Sequence, residues 1–269
     1  MDMSDISKRG LCLLGCGKMG SALLAGWLGK GVPASAVWVS DPAPSDWLRE
    51  TGVHLNEDMP KSPAIVVVAV KPQMMDAALP SMAEMAGGAT VFLSIAAGKT
   101  IATFEAILGA ETPIVRSMPN TPAAIGQGIT AIVGNAVASA QDLDLAEALL
   151  ASVGRVVRLT DEAQMDAVTA VSGSGPAYVF HMIEAMAAAG EAMGLQAALA
   201  YDLALETVAG AGALAAKRDD SAAQLRINVT SPAGTTAAAL DVLMDEANGL
   251  PPLLARAMQA AKTRSEELS

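Results

Sequence analysis

Three glycines, Gly15, Gly17 and Gly20, close a short apolar run at residues 11–14 and precede a periodic apolar segment through Ala22, Leu23, Leu24 and Trp27. The stretch L-C-L-L-G-C-G-K-M-G therefore reads as a buried strand, a tight turn and a helix start. In a G-x-G-x-x-G turn each glycine has its own task. Gly15 permits the exit from the strand, Gly17 has no Cβ to hold a pyrophosphate away from the backbone, and Gly20 lets the helix approach the strand. Free N–H groups and the positive end of the helix dipole then face an anion. A dinucleotide is the ligand that this arrangement implies, and a plain strand-to-helix turn is the other reading.

Asp41 ends a second predicted strand, A-V-W-V-S-D (residues 36–41), about 20 residues beyond Gly20, where a ribose-reading carboxylate is expected. Such a carboxylate accepts from a 2′-OH and repels a 2′-phosphate, which favours NADH. No Lys or Arg follows until Arg49, although Ser40 and Ser45 could still hydrogen-bond a phosphate. Asp41 is equally readable as a turn residue before Pro42. Two loops further along carry candidate polar groups. S-G-S-G-P-A-Y (residues 172–178) sets Pro176 at a first helical turn, and N-V-T-S-P-A-G-T-T (residues 228–236) opens a helix at Thr235 and Thr236. A helix N-terminus flanked by hydroxyls can hold a carboxylate, and each loop is also readable as an ordinary helix–loop–helix connection.

Behind these residues the pattern calls for a parallel sheet. Residues 64–70, A-I-V-V-V-A-V, are apolar throughout, as a strand covered on both faces should be, and end in Lys71-Pro72. Further strands are predicted at residues 90–96 (ending in A-G), 113–118 (ending in P-N-T-P), 129–134 and 155–159, the last two flanking a helix over residues 141–153. In an open parallel sheet the ligand lies beyond the carboxyl ends of the strands, where these small, turn-forming segments fall. Past Asp161 only helical periodicity rich in Ala and Met remains. The expected organisation is an α/β Rossmann dinucleotide-binding domain over residues 1–160 and an all-helical domain over 161–269.

Composition narrows the function classes. The 269 residues are 52% apolar and only 3% aromatic, which points to helices packed through small side chains. A net charge of −11 argues against nucleic acid or an anionic membrane as partner. The N-terminus carries acids ahead of Lys8 and Arg9 with too short an apolar run for a signal segment, and Glu184, Glu191, Asp202 and Glu206 break the later apolar stretches. A cytoplasmic protein is expected. With only Cys12, Cys16, His54 and His181 available, no metal site is expected. Cys16 lies near a helix N-terminus that could activate it, but also suits a crowded turn as a small residue.

Taken together, G-C-G-K-M-G, A-V-K-P (69–72), S-I-A-A-G (94–98), R-S-M-P-N-T-P (116–122), S-G-S-G-P-A-Y and S-P-A-G-T-T (231–236) resemble the pyrroline-5-carboxylate reductase family, over nearly the whole chain. The last two motifs are the specific ones. The resemblance implies a Rossmann half, a helical half that forms an intertwined homodimer, and dimers that often build into decamers. It implies an NADPH or NADH cofactor lying against Gly15, Cys16, Gly17, Lys18, Met19, Gly20, Ser40, Asp41, Asn56, Ala69, Val70, Lys71, Pro72, Ile95 and Ala97, with Asn228 near the nicotinamide. The substrate, a cyclic imine carboxylate, would be held by Ser231, Thr235 and Thr236, with Asp219 as an acidic contact. Thr236 would stand closest to the ring nitrogen, as the catalytic residue.

Some positions depart from the family pattern. Ala233 replaces the first glycine of S-P-G-G-T-T, a cost if that position needs φ > 0. Arg226 and Ile227 stand for a lysine and an aspartate, and Ser221-Ala222-Ala223 for H-P-G. Tyr178 is readable as a general acid or as a packed helix aromatic, and His181 as an interface or surface residue. Hydroxyacid reductases of similar layout place a lysine on the first long helix after the boundary, and here no lysine occurs between Lys99 and Lys217. A reductase of the six-membered imine, or a non-catalytic dinucleotide-binding protein, remain the rival readings.

Overall fold

The computed structural model describes residues 4–268 and divides into two compact units. One comprises the chain up to Gly173 together with Lys262 onward; the other is Ser174–Ala261.

After a short helix α1 (Ser4–Arg9), the first unit is built on an eight-stranded sheet of order β3-β2-β1-β4-β5-β6-β7-β8. The strands are β1 (Leu11–Leu14), β2 (Val37–Ser40), β3 (His54–Leu55), β4 (Ile65–Val68), β5 (Val91–Ser94), β6 (Ile114–Met118), β7 (Gly128–Gly134) and β8 (Gly154–Arg158). All neighbours pair parallel except β6 and β7, which run antiparallel. Strand β1 lies centrally, with β2 and β3 to one side and β4 onward to the other, which creates the crevice at the carboxyl ends where α/β sheets bind ligands.

Alternation along β1 shows why its sequence is apolar without interruption. Leu11 and Leu13 join a core with Leu23, Leu24 and Trp27 of α2 (Lys18–Gly29), while Cys12 and Leu14 face the opposite core with Met75, Leu79 and Phe104. On the first face α2 shares its core with Ala146, Leu149 and Leu150 of α6 (Ala140–Leu150), which Ser139 and Asp142 start with a reciprocal capping box. Short helices α3 (Asp46–Glu50) and α4 (Met75–Ala78) follow β2 and β4, and α5 (Ile101–Leu108) follows β5, capped by Thr100.

Two features differ from the sequence expectation. The edge strand β3 is only two residues long, too short to leave a periodic signal. The antiparallel entry of β7 arises because β6 passes into it through the one-turn segment Thr121–Ile125 and Gly126 at φ +72°, with no crossover helix.

Arg116, on β6, is 3% exposed and donates to Glu162 Oε1 at 2.6 Å. The same oxygen accepts the Ile101 N–H at 2.8 Å and so fastens the start of α5 to the sheet. Beyond α7 (Met165–Val168) and a π-helical turn over Thr169–Gly173, the second unit begins.

The second unit consists of α8 (Gly175–Ala192), α9 (Ala197–Lys217), α10 (Ala222–Asn228), α11 (Thr235–Leu243) and most of α12 (Leu250–Glu267). Its buried apolar cluster is small, Ile183, Ala187 and Ala204. Val179, Phe180, Met182 and Met186 of α8 and Leu199, Tyr201, Leu203 and Leu214 of α9 are exposed. Helix α9 is long and apolar enough by length and composition to cross a membrane, and carries Asp202 and Glu206.

Removing one partner of the Arg116–Glu162 pair leaves a buried guanidinium uncompensated. Glu162→Ala is expected to cost about 3 kcal/mol in urea unfolding, and the double change Arg116→Met with Glu162→Leu considerably less.

Candidate active site

The glycine turn leaves β1 as its residue types demand. Gly15 has φ +88°, and a Cβ there would lie 3.1 Å from the Ala69 backbone. A Cβ on Gly20 would come within 2.7 Å of Gly15 O, so α2 packs on the turn as only glycine allows. A Cβ on Gly17 would meet nothing within 4 Å. The turn thus presents open space over a helix N-terminus, and this fits the diphosphate of a dinucleotide.

The other expected cofactor residues of this unit stand along the same carboxyl edge. Gly15 N donates to Ser40 O at 2.8 Å, Ala69 N to Leu14 O at 2.8 Å, and Ile95 N to Val68 O at 3.1 Å, so these residues continue the ladder side by side. Ala69 and Val70 are half-buried, and Lys71, which precedes the one-turn segment Pro72–Met74, is exposed. Past β5, Ser94 Oγ accepts from Ala96 N at 3.2 Å and shapes the loop that exposes Ala97.

Asp41 has contacts that its position in the sequence did not reveal. Its Oδ2 accepts the Cys16 N–H at 2.6 Å and its Oδ1 the Ala43 N–H at 2.8 Å. Asn56 accepts from Asp41 N and donates to Asp41 O, both at 2.9 Å, from a left-handed conformation of φ 55°. Lys18, with Met19 after it at the start of α2, lines a hollow of about 390 Å³ with Ser21, Ser45 and Trp47. A cation therefore does stand beside the segment that follows β2, supplied from before it in the chain.

Burial, and then the charge of Asp41, push the Cys16 thiol up to about 11, and burial pushes Cys12 up to about 12. Both thiols are thus held in the protonated, unreactive form at neutral pH. Among the described residues no group of three or more His, Cys, Asp or Glu could hold a metal ion.

The second group of expected residues lies in the Ser174–Ala261 unit. Asp219 is exposed ahead of α10, and Asn228 ends that helix with its Oδ1 accepting from Gln224 Nε2 at 2.8 Å. Gly234 N donates to Ser231 O at 3.1 Å, which closes a turn with Pro232 second and Ala233 third, at φ 55°. This is the pattern of a type II turn, whose third residue favours glycine. Gly234 itself stands too close to Ser231 Oγ to carry a side chain. Thr235 and Thr236 are the first two residues of α11, the former exposed and the latter half-buried. Tyr178 lies half-buried in the first turn of α8, and exposed His181 pairs with Glu184 at 3.0 Å.

A Rossmann sheet, a glycine turn open to a diphosphate and an appended helical unit define an NAD(P)H-dependent oxidoreductase. Residues 10–98 match the family model described as NADP oxidoreductase, coenzyme F420-dependent, and residues 162–268 match that of pyrroline-5-carboxylate reductase dimerisation. The chain belongs to the pyrroline-5-carboxylate reductase family. It is 42% identical to the pyrroline-5-carboxylate reductase of Pseudomonas aeruginosa and 39% identical to that of Mycobacterium tuberculosis, each over 96% of both chains. Among solved structures it is similar to a pyrroline-5-carboxylate reductase from Coxiella burnetii, with a TM-score of 0.91, 34% identity, and 97% and 98% of the two chains covered. A Plasmodium falciparum pyrroline carboxylate reductase with NADP bound gives a TM-score of 0.83 at 30% identity, again covering 97% and 98%. The match to a dimerisation model, with the exposed apolar faces of α8 and α9, makes this an oligomer-forming chain.

Because Gly17 has ordinary backbone angles and open space, Gly17→Ala is expected to change unfolding stability by less than about 0.5 kcal/mol. The same variant is expected to weaken NADPH binding by about tenfold or more in a fluorescence titration, since its methyl group occupies the diphosphate's approach. Ala233→Gly is expected to stabilise the protein by about 1 kcal/mol, read from denaturant unfolding, by removing a left-handed alanine.

Proposed function

We propose that this protein is a pyrroline-5-carboxylate reductase, reducing 1-pyrroline-5-carboxylate to L-proline with NADPH or NADH, the last step of proline biosynthesis. The observation that carries the proposal is the occurrence in one chain of the open glycine turn and the S-P-A-G-T-T turn that starts α11. Identity of 42% and 39% over 96% of both chains to reductases of that name supports the same reading.

The glycine turn would hold the diphosphate of the reduced dinucleotide, which when bound would supply the hydride for the imine carbon. Gly15 to Gly20, Ser40, Ala69 to Pro72, Ile95 and Ala97 are the residues proposed to hold the dinucleotide, with Asp41 and Asn56 beside them just past the ends of β2 and β3 and Asn228 toward its nicotinamide. A cyclic imine nitrogen protonates readily, and the resulting iminium is already electrophilic, so the protein's work is positioning. Ser231, Thr235 and the backbone N–H groups at the start of α11 hold the carboxylate, with Asp219 as a further substrate contact. The Thr236 hydroxyl hydrogen-bonds the ring nitrogen as it becomes an amine. The oligomer is proposed to be a homodimer able to assemble to a decamer, acting in the cytoplasm without nucleic acid or membrane as partner. On that reading the apolar length of α9 serves subunit contact.

The test is loss of NADPH and NADH absorbance with pyrroline-5-carboxylate, against its six-membered homologue. Rapid oxidation with the five-membered imine is expected; oxidation with neither cofactor, from folded protein that binds both, removes the assignment. Thr236→Ala is expected to lower kcat about 100-fold while NADPH affinity changes little. Wild-type turnover in that variant excludes Thr236 from the mechanism.

A further inference from the structure

We infer that Asp41 is a positioning residue that braces the glycine turn from within, that Asn56 holds it in that pose, and that its carboxylate does not choose between NADPH and NADH. The inference rests on the glycine turn being the dinucleotide site and is independent of the imine assignment.

Both carboxylate oxygens of Asp41 are engaged inside the chain, Oδ2 by Cys16 N–H at 2.6 Å and Oδ1 by Ala43 N–H at 2.8 Å. The first of these crosses from the end of β2 to the middle residue of the G-C-G turn, alongside the Gly15 N to Ser40 O bond at 2.8 Å. Together they set the orientation of the peptides that enter Gly15 and Cys16, immediately ahead of Gly17, the residue facing open space. To turn outward toward a ribose, the carboxylate has to give up the Cys16 N–H and release that peptide. A charge-assisted bond to a backbone N–H is among the stronger hydrogen bonds a side chain makes.

Asn56 removes the remaining freedom. Its amide carbonyl accepts from Asp41 N and its amide nitrogen donates to Asp41 O, each at 2.9 Å, so the Asp41 backbone is held on both sides. That two-point contact uses the left-handed φ of 55°, which asparagine tolerates better than most residues. Asn56 N is bonded in turn to Val39 O at 2.8 Å. The neighbouring His54 stacks on Trp38 with ring centroids 4.4 Å apart, and its Nδ1 lies 2.9 Å from Glu57 Oε2, closing the loop around Asn56. Every contact of the carboxylate is thus to the turn or to its own loop.

A ribose reader and a brace have opposite signatures when the side chain is removed. The measurement is direct binding of NADPH and of NADH, by fluorescence titration without any imine, to the wild type, Asp41→Ala, Asp41→Asn and Asn56→Ala. Asp41→Ala is expected to weaken both dinucleotides by about tenfold, with their ratio kept within about twofold. Asp41→Asn retains an oxygen that can accept the Cys16 N–H and is expected to recover most of the loss for both. Asn56→Ala is expected to weaken both in the same sense and to add little in the Asp41→Ala background, because the two residues act in one path. Tighter NADPH with weaker NADH in Asp41→Ala overturns the inference, as does an unchanged pair of constants or an Asp41→Asn variant as weak as Asp41→Ala. Should Asp41→Ala fail to fold, Asp41→Asn and Asn56→Ala decide the question by the same ratio. A protein that binds both dinucleotides in the expected pattern but reduces no imine sinks the proposed function and leaves the brace standing.

Discussion

The in-register parallel ladder through β2, β1, β4 and β5 is the constraint on which the rest of the molecule depends. Strands β1, β4 and β5 have their side chains buried on both faces, and β2 buries Val37 and Val39 against one core with Trp38 half-buried against the other, so the sheet cannot slide without moving a whole set of side chains into the opposing core. A fixed register places the carboxyl ends of those strands level with one another. The glycine turn, Ser40, Ala69 and Ile95 are neighbours for that reason, although their chain positions are far apart.

Much of this was legible in the sequence because burial on both faces leaves a plain record. Residues 64–70 and 90–96 could hardly be anything but covered strands, and they contain β4 and β5. The glycine spacing likewise carried its geometry, since φ +88° at Gly15 and the close approach at Gly20 are needs that only one residue type meets. The expectation that Ala233 would suffer if its position required positive φ meets a φ of 55° in the fold. What escaped were features set by contacts between distant residues. His54 and Leu55 form an edge strand too short to show periodicity, and Asn56 clasps Asp41 across 15 residues. The Asp41 carboxylate, read from its spacing alone, points toward a cofactor; the fold gives it the N–H of Cys16.

The two units divide the work of folding unequally. In the first, Trp27, Phe92 and Phe104 are fully buried, and the sheet is covered by helices on both faces. In the second, small residues at Ala187, Gly190, Ala200 and Ala204 let α8 and α9 approach closely, but the outward faces of these helices keep large apolar side chains in water. Alanine-rich packing is economical of volume and leaves little apolar area inside a single chain. The area that would make the unit self-sufficient lies on its surface, ready for another chain.

That surface makes stability a property of the solution as well as of the chain. Where folded protomers bury apolar area only by associating, the free energy of the helical unit includes an association term that grows with protein concentration. Dilution alone then loosens α8 and α9 while the Rossmann sheet, whose core is complete within one chain, is unaffected. The loop at Thr235 and Thr236, proposed above to hold the substrate, belongs to the helical unit and the glycine turn to the Rossmann unit. On the proposed function, dinucleotide binding and substrate turnover then answer to different protein concentrations.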